Sequence, residues 1–352
     1  MALDQDKLMD FVHRFVGDLG ATMTAGNVVV GHQTGLYAGL ANGGPATGDE
    51  LAARTGTDPR YVTEWLRGQA AAGYVSYDAA NHRYSLTPEQ AYVLADPGGA
   101  VNAPGAFTFA LGTLRAQPRV TEAFRTGAGI GWHEHDADVF AGCEQFFRPG
   151  YAAHLVAEWL PALDGVVDKL RAGASVADAG CGLGASTVLM AAEYPRSRFT
   201  GSDYHAGSIE TARKRAAEAG VSDRVAFEVA PADGFSGSGY DLVTTFDCLH
   251  DMGDPAGAAA RVRRALKPDG TWMIVEPAAG DAVPDNLNPV GLVYYSFSTF
   301  LCLPNARSQQ GGYLLGAQAG ETAIGQLVRE AGFGSFRRAA QTPFNLVYEA
   351  RP

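Results

Sequence analysis

Residues 176–186 read VADAGCGLGAS, and three glycines at alternate positions give this stretch a chemical meaning. Gly180, Gly182 and Gly184 predict a tight turn from a strand into a helix, with a backbone that a ligand can approach closely. Two cofactor classes use such a turn: dinucleotides of nicotinamide or flavin, and S-adenosylmethionine (SAM). The turn also satisfies the looser dinucleotide pattern, with Asp203 about 20 residues further on as a ribose ligand. The turn alone therefore does not decide between the two classes.

Carboxylates near the turn favour SAM. Asp178 lies two residues before Gly180, at the end of a predicted strand. A carboxylate there suits a cofactor that brings an ammonium group, whereas it would repel the pyrophosphate of a dinucleotide. Asp233 ends the segment FEVAPAD, where it can accept a hydrogen bond from an adenine amino group. We therefore expect SAM as the cofactor.

Five segments, in this order and spacing, resemble the motifs of class I SAM-dependent methyltransferases: VADAGCGLGAS, GSDYH, APADGF, FDCLHDM and LKPDGTWMIVEP. The sequence before them resembles the winged-helix domain through which a branch of small-molecule methyltransferases dimerises. GHQTGLYAGL, TDPRYVTEWL, WHEHD, FFRPGY and LGAQAGE resemble a bacterial subgroup of that branch. The resemblance covers nearly the whole chain. It implies an α/β fold, a Rossmann-like seven-stranded class I methyltransferase sheet preceded by an all-helical or winged-helix domain.

The resemblance also implies a role for each matching residue at the cofactor. The three glycines would line the methionine part of SAM, and Asp178 would lie near its ammonium group. Asp203 would accept hydrogen bonds from both ribose hydroxyls, and Asp233 would accept one from the adenine amino group. The remaining residues expected there are Tyr204 against the adenine, Asp247 and Cys248 on the sulfonium side, and Tyr151 or Arg148 over the carboxylate.

His250, in the segment DCLHDM, is the candidate general base. Methyl transfer from SAM is a displacement at carbon, so alignment supplies much of the acceleration and a base is needed only when the nucleophile must lose a proton. In the O-methyltransferases that this part resembles, the histidine of an LHDW motif deprotonates the acceptor hydroxyl; Met252 replaces that tryptophan here. We expect O-methylation, with methylation at sulfur, nitrogen or carbon left open. His250 could instead be structural, and Asp251 either orients the imidazole or caps a helix.

The segment WHEHD at 132–136 offers further candidates for contact with the acceptor. Trp132, His133 and His135 are expected to make polar contacts in a pocket. The alternative is a metal site, because two histidines at i and i+2 would face one side of an extended segment, together with Glu134 or His250. We expect no metal.

An apolar run, VGLVYYSFSTFLCL, lies in the insert 278–320. It indicates a lid and an apolar acceptor pocket, with an ordinary buried helix as the alternative. Tyr294 and Tyr295 are the candidate aromatic contacts with the substrate. Arg307, together with Asn305 and Gln309, could hold a polar group of the acceptor.

Alternating strands and helices from Val166 onward predict a parallel sheet with crossover helices in a SAM-binding domain, 166–352. The insert 278–320 separates the fifth strand from the last two. The predicted strands are SVADAG, RFTGSD, VAFEVA, YDLVTTFD, TWMIVEP, SFRRAA and NLVYEA.

Residues 1–95 predict a winged-helix dimerisation domain. Thr47 and Glu50 form a capping box, and Asp58 with Pro59 opens the next helix before two short alternating strands. Residues 96–165 are expected to form a helical linker that contributes to the active site. The first 40 residues predict two helices. The second, NVVVGHQTGLYAGLA, is so apolar that it packs either against a second chain or within its own domain. The apolar residues that predict the first helix are Leu8, Phe11, Val12, Phe15, Val16 and Leu19.

Composition narrows the class of protein. The 352 residues carry a net charge of −11, which opposes binding to a phosphate backbone. The sequence contains no run of about 18 apolar residues, so it predicts no membrane span. The acidic N-terminal segment lacks the layout of a secretion signal, and the four cysteines lack a CxxC pair, so we expect a cytoplasmic protein without structural zinc or disulfides.

Two other functions share this sequence pattern. A transcriptional regulator that binds SAM or a small ligand is one, but residues 1–95 hold six basic against ten acidic side chains. Such a surface does not favour DNA, so no nucleic-acid partner is expected. The other is a SAM-bound protein that catalyses a non-methylating cyclisation or elimination. We expect a homodimeric SAM-dependent methyltransferase that acts on a small, partly apolar acceptor.

Overall fold

The computed structural model describes residues 3–96 and 98–352, and the chain divides into two compact units. The first contains the residues up to 112 together with 137–149, and the second contains 113–136 and 150–352. The segment 96–165, predicted as a linker, is thus shared between the two units. No helix among the described residues has the length and apolarity that a membrane span requires.

The first unit opens on a long helix. Its elements up to residue 114 are α1 (Gln5–Gln33), α2 (Leu36–Gly43), α3 (Gly48–Thr55), α4 (Pro59–Ala71), β1 (Ser76–Asp78), β2 (Arg83–Ser85), α5 (Pro88–Leu94) and α6 (Ala103–Leu114). The prediction of two helices within the first 40 residues misplaced their boundary, because α1 continues to Gln33. The chain breaks only at Gly35, whose φ of +73° is in the left-handed region that favours glycine.

The apolar side chains of the first half of α1 do not pack within their own domain. Phe11, Phe15 and Leu19 are 69, 56 and 53% exposed, whereas Ala25 and Val28 further along are buried. The predicted second helix, by contrast, buries Leu36, Tyr37 and Leu40 in the core of its own domain. Phe11, Phe15 and Leu19 form an apolar stripe along α1 that faces solvent in the single chain.

Helices α3 and α4 and the hairpin β1–β2 form the predicted winged helix. Thr47 and Glu50 make the reciprocal bonds of a capping box, and the Asp58 side chain accepts from the first N–H groups of α4. β1 and β2 pair antiparallel. The core under this wing includes Leu51 and Leu66, both fully buried.

The second unit is an α/β layer structure. Its helices are α7 (Gln117–Thr126), α8 (Ala137–His154, whose last residues belong to this unit), α9 (Val166–Ala172), α10 (Ala185–Glu193), α11 (Ala206–Glu218), α12 (Pro255–Ala265), α13 (Pro289–Phe297), α14 (Leu303–Ser308) and α15 (Gly320–Glu330). Its strands are β3 (Ser175–Ala179), β4 (Arg198–Asp203), β5 (Val225–Val229), β6 (Tyr240–Phe246), β7 (Leu266–Pro277), β8 (Ser335–Gln341) and β9 (Asn345–Arg351). All seven predicted strands are present.

The seven strands form one sheet in the order β5-β4-β3-β6-β7-β9-β8. β3 to β7 run parallel, whereas β9 is antiparallel to both of its neighbours, β7 and β8. After β3 the chain adds β4 and β5 on one side of β3, and it then crosses to β6 on the other side of β3. The carboxyl ends of β3 and β6 therefore flank the point where the strand order reverses, and open α/β sheets bind ligands at this point.

Candidate functional site

The glycine turn joins β3 to α10 at this reversal point. Gly180, Gly182 and Gly184 all have positive φ, of 76°, 52° and 78°. A Cβ on Gly184 would lie 2.8 Å from the Cβ of Ala212 and 3.0 Å from the Phe227 ring, so this glycine permits close helix packing. A Cβ on Gly182 would meet no atom within 4 Å. Gly182 thus borders open space, as a residue beside a bound ligand must.

Asp203, at the end of β4, is held against this turn. Its Oδ2 accepts a hydrogen bond from the Gly182 N–H at 3.0 Å, and its Oδ1 accepts one from the His205 N–H at 2.8 Å. Burial raises the pKa of Asp203. Each carboxylate oxygen retains a second acceptor position, so the side chain can still bind hydroxyl groups such as those of a ribose.

Asp178 is fully buried and surrounded by hydroxyl groups. Its Oδ2 accepts from Ser186 at 2.7 Å and Thr187 at 2.6 Å, and its Oδ1 accepts from Thr244 at 2.9 Å. Burial raises the pKa of Asp178, while these hydroxyls counteract the increase. Three neutral donors leave one acceptor position for an ammonium group, and they also join β3 to α10 and β6.

The other residues predicted at the adenine have fewer contacts. The Tyr204 hydroxyl donates to Asn305 Oδ1 at 3.3 Å, and its ring is partly exposed. Asp233 is exposed in the turn after β5, four residues beyond the end of that strand. Arg148, the alternative to Tyr151, pairs with Glu144 at 2.9 Å in the first unit.

Asp247, just after β6, is brought together with Tyr151 and Asn345. The Tyr151 hydroxyl donates to Asp247 Oδ2 at 2.7 Å, and Asn345 Nδ2 donates to Oδ1 at 2.8 Å. Burial, and then the charge of Glu276, raise the pKa of Asp247 to about 7 against the effect of these donors. The adjacent Cys248 places its Sγ 3.5 Å from the carbonyl oxygen of Ala179.

His250 lies in a short helical turn and is paired with an acid that the sequence reasoning missed. Its Nδ1 lies 2.7 Å from Glu276 Oε2, while Glu276 Oε1 accepts from the Leu249 N–H at 3.0 Å. Burial lowers the pKa of His250, but the charge of Glu276 and a hydrogen bond with Cys302 outweigh it and raise that pKa well above the usual value. Glu276 ends the buried strand TWMIVEP beside the end of β6, and a lone carboxylate at such a position was the signal that could have identified it.

Asp251 is not a helix cap. The residue that caps α12 is Asp254, whose side chain accepts from the Gly257 N–H at 2.8 Å. The capping alternative for Asp251 is therefore wrong. Burial raises the pKa of Asp251 to about 7, although the positive charge of His250 lowers it. The backbone oxygen of Asp251 accepts from the side chain of Asn305 at 3.1 Å.

The segment WHEHD is tied to the insert through Asn305, whose Oδ1 accepts from the Trp132 N–H at 3.1 Å. His133 is exposed, whereas His135 is 91% buried and both of its ring nitrogens lack a hydrogen-bond partner. Burial lowers the pKa of His135. The two imidazoles differ too much in exposure to share one face. Over residues 3–96 and 98–352 no three potential metal ligands of the His, Cys, Asp or Glu type converge.

The insert forms α13 and α14 with the π-helical turn Ser298–Cys302 between them. Tyr294 is buried and donates its hydroxyl to the Phe344 carbonyl at 2.7 Å, whereas Tyr295 is partly exposed. Arg307 is exposed, and Asn305 is used for contacts within the protein.

Two family descriptions match the chain, one in each unit. Residues 21–96 match the "Rv2258c-like winged HTH domain", and residues 170–305 match the "Methyltransferase domain". Among curated proteins, 27-O-demethylrifamycin SV methyltransferase of Amycolatopsis mediterranei is 32% identical over 130 residues, which cover 35% of this chain and 47% of that protein. The chain therefore spans less than half of the length of this relative.

Solved structures match over nearly the full length. Mitomycin 7-O-methyltransferase is 19% identical with a TM-score of 0.68, and the match covers 99% of this chain and 100% of that one. Human N-acetylserotonin methyltransferase, solved in complex with SAM, is 17% identical with a TM-score of 0.70, over 100% and 99% of the two chains. At these identities the likeness establishes the fold.

Proposed function

We propose that this chain, which joins a winged helix-turn-helix domain to a class I methyltransferase domain, transfers a methyl group from SAM to a small, partly apolar acceptor. The match of residues 170–305 to the methyltransferase family supports the reaction class. The cofactor assignment rests on one observation, the hydrogen bond from the Gly182 N–H to the Asp203 carboxylate. Gly182 also borders open space that a ligand could occupy. The hydrogen bond joins the glycine turn to the expected ribose ligand at the reversal point of the sheet.

The other cofactor contacts are proposed on the sequence resemblance and on their placement. Asp178 has one acceptor position left for the ammonium group, and Asp233 follows the strand next to β4. The residues proposed to complete the site are Gly180, Gly184, Tyr204, Asp247, Cys248 and Tyr151.

Oxygen is the proposed acceptor atom because of the His250–Glu276 pair. SAM, when bound, supplies a methyl group on a sulfonium sulfur that leaves as a neutral sulfide. Glu276 accepts from Nδ1 of His250 and so fixes the tautomer in which Nε2 can take a proton. In the proposed reaction, the acceptor O–H proton passes to Nε2 as the oxygen forms its bond to the methyl carbon. Asp251 is proposed to act on the imidazole through its charge.

The acceptor contacts are proposed from Trp132, His133 and His135 on one segment and from Tyr294, Tyr295 and Arg307 on the insert. The support is strongest for His135, because its buried nitrogens lack partners in the protein and a ligand could supply them. We also propose a cytoplasmic homodimer that forms through the first unit and has no nucleic-acid partner. The exposed apolar stripe of α1 supports the dimer, and the net charge of −11 opposes a nucleic-acid partner.

Calorimetric titration with SAM, and separately with NADH, tests the proposal. We expect micromolar binding of SAM, no response to NADH, and loss of SAM binding in Asp203→Ala. The control is Asp269→Ala, which removes an exposed acid that pairs with Lys169 at 2.7 Å. Binding of NADH in preference to SAM, or undiminished SAM binding in Asp203→Ala, would contradict the cofactor assignment.

A further inference from the structure

Asp247 has a backbone conformation that non-glycine residues rarely adopt. Its φ is +47°, in the left-handed region, which is sterically unfavourable for an L-residue. Tyr151 and Asn345, 96 and 98 residues away in the sequence, both bond its carboxylate. A strained residue that distant segments hold in place is typical of a functional position.

The charge of this carboxylate is not neutralised by its two partners. The Tyr151 hydroxyl and the Asn345 amide are neutral donors, and each occupies one acceptor position of a different oxygen. The nearby cation, His250, is bonded to Glu276 at 2.7 Å. Two acceptor positions of Asp247 therefore stay available to a ligand, and a cation bound there would favour the ionised carboxylate, whose pKa burial raises to about 7.

Accessibility distinguishes Asp247 from its charged neighbours. His250 and Glu276 are 4 and 3% exposed, whereas Asp247 is only partly buried. Asp247 therefore retains the most exposed surface of these three residues at the carboxyl edge of β6 and β7.

Tyr151, which bonds the carboxylate, packs against other aromatic rings. The Tyr151 ring lies 5.2 Å from Phe246 and 6.0 Å from Trp159, between ring centroids. Burial raises the pKa of Tyr294, and the charge of Asp247 raises it further, so this ring also lies near the carboxylate. A carboxylate bordered by aromatic rings suits an organic ammonium group, which gains from the negative charge and from the ring faces.

We propose that Asp247 binds a protonated amine on the methyl acceptor, so that the acceptor is a cationic small molecule with an apolar body. The proposal rests on the proposed methyltransferase function and adds the substrate class. It adds an acceptor contact to Asp247, which lies on the sulfonium side of the proposed cofactor site. It also predicts that anionic acceptors are rejected, because three carboxylates, Asp247, Asp251 and Glu276, lie close to one imidazole.

Calorimetric titration of the full-length protein, saturated with S-adenosylhomocysteine, tests this with three probes of similar shape. Tyramine carries the amine, tyrosol carries a hydroxyl in its place, and 4-ethylphenol carries neither. We expect tyramine to bind at least 10-fold more tightly than 4-ethylphenol, and tyrosol to lie near 4-ethylphenol. In Asp247→Asn, which keeps the shape and removes the charge, this preference should fall below about 2-fold, while Asp269→Asn should retain it.

Equal binding of the three probes, no binding of tyramine, or a preference that survives in Asp247→Asn would each overturn the proposal. If tyrosol bound as tightly as tyramine, the group that Asp247 recognises would be a neutral hydrogen-bond donor and not an ammonium group, and the proposal would be overturned. A loss of S-adenosylhomocysteine affinity in Asp247→Asn with the preference for tyramine intact would assign the residue to the cofactor alone. If the cofactor does not bind at all, the proposed function fails, and the same three titrations on the free protein still decide whether Asp247 selects an amine.

Discussion

At the residue scale, the acid partner of His250 decides how the imidazole can work. Glu276 is buried and bonded to Nδ1, so the cationic imidazole is stabilised and the pKa of His250 is raised. A base with a raised pKa takes a proton more strongly, but it is neutral only at higher pH. The pair thus makes His250 a stronger base, but a smaller fraction of His250 is neutral, and able to accept a proton, at neutral pH.

Two variants separate the roles of this pair. His250→Gln removes the base, and we expect kcat to fall by about 10²-fold or more, a usual loss for a general base. Glu276→Gln keeps the base but lowers its pKa, so the acid limb of the pH–rate profile should move to lower pH and the plateau should fall. The measurement is the initial rate of methyl transfer against pH, with SAM affinity as the control in both variants. A profile that does not move in Glu276→Gln would remove His250 from the proton transfer.

The same pair also links stability to pH. Because the folded pKa of His250 is raised, its contribution to stability is fully present below the unfolded value of about 6.5 and is lost as the pH rises through the folded pKa.

At the scale of elements, the turn between β3 and α10 uses its glycines for different purposes. Gly184 makes room for the Phe227 ring and for Ala212 on α11, whereas Gly182 borders open space. Both need positive φ, but only Gly184 needs the missing Cβ for packing. The turn is therefore partly a packing device and partly a surface that a ligand can approach.

Alanine substitutions distinguish the two uses. We expect Gly182→Ala to cost about 1–2 kcal/mol from its backbone conformation and to weaken SAM binding. Gly184→Ala should destabilise by a further 1–3 kcal/mol, roughly the cost of overpacking. Urea unfolding and SAM titration of both variants check this. Equal stability losses would contradict the separation of roles.

At the scale of the whole molecule, the apolar stripe of α1 and the proposed dimer are linked. Phe11, Phe15 and Leu19 are each more than half exposed in the single chain. Burying one such side chain contributes about 1.5–3 kcal/mol. A second copy of the chain that covers the stripe would remove this exposure.

A single charge in the stripe tests the dimer. Phe15→Glu should weaken self-association by at least 10-fold, which corresponds to about 1.4 kcal/mol. His13→Glu, an exposed position two residues away, serves as the matched control and should leave it unchanged. Sedimentation velocity over a range of concentrations measures both. A wild-type chain that stays monomeric, or equal effects of the two variants, would exclude the stripe as the interface.

Local patterns in the sequence determined the strands, the winged helix and the glycine turn of this protein. All seven strands, the capping box at Thr47 and the turn at Gly180 depend on neighbouring residues, so periodicity and turn chemistry predict them. The fold likeness to known methyltransferases confirms the predicted architecture.

Only the tertiary structure decided which distant side chains meet. Asp247 meets Tyr151 and Asn345 across more than 90 residues, and the acid that partners His250 comes from the next strand of the sheet. Arg307, predicted at the acceptor, is exposed in the single chain. Spacing along the chain carries no information about such pairs, because the order of the strands and the paths of the loops bring them together. The charge and accessibility of Asp247, and with them the proposed class of acceptor, depend on those pairs.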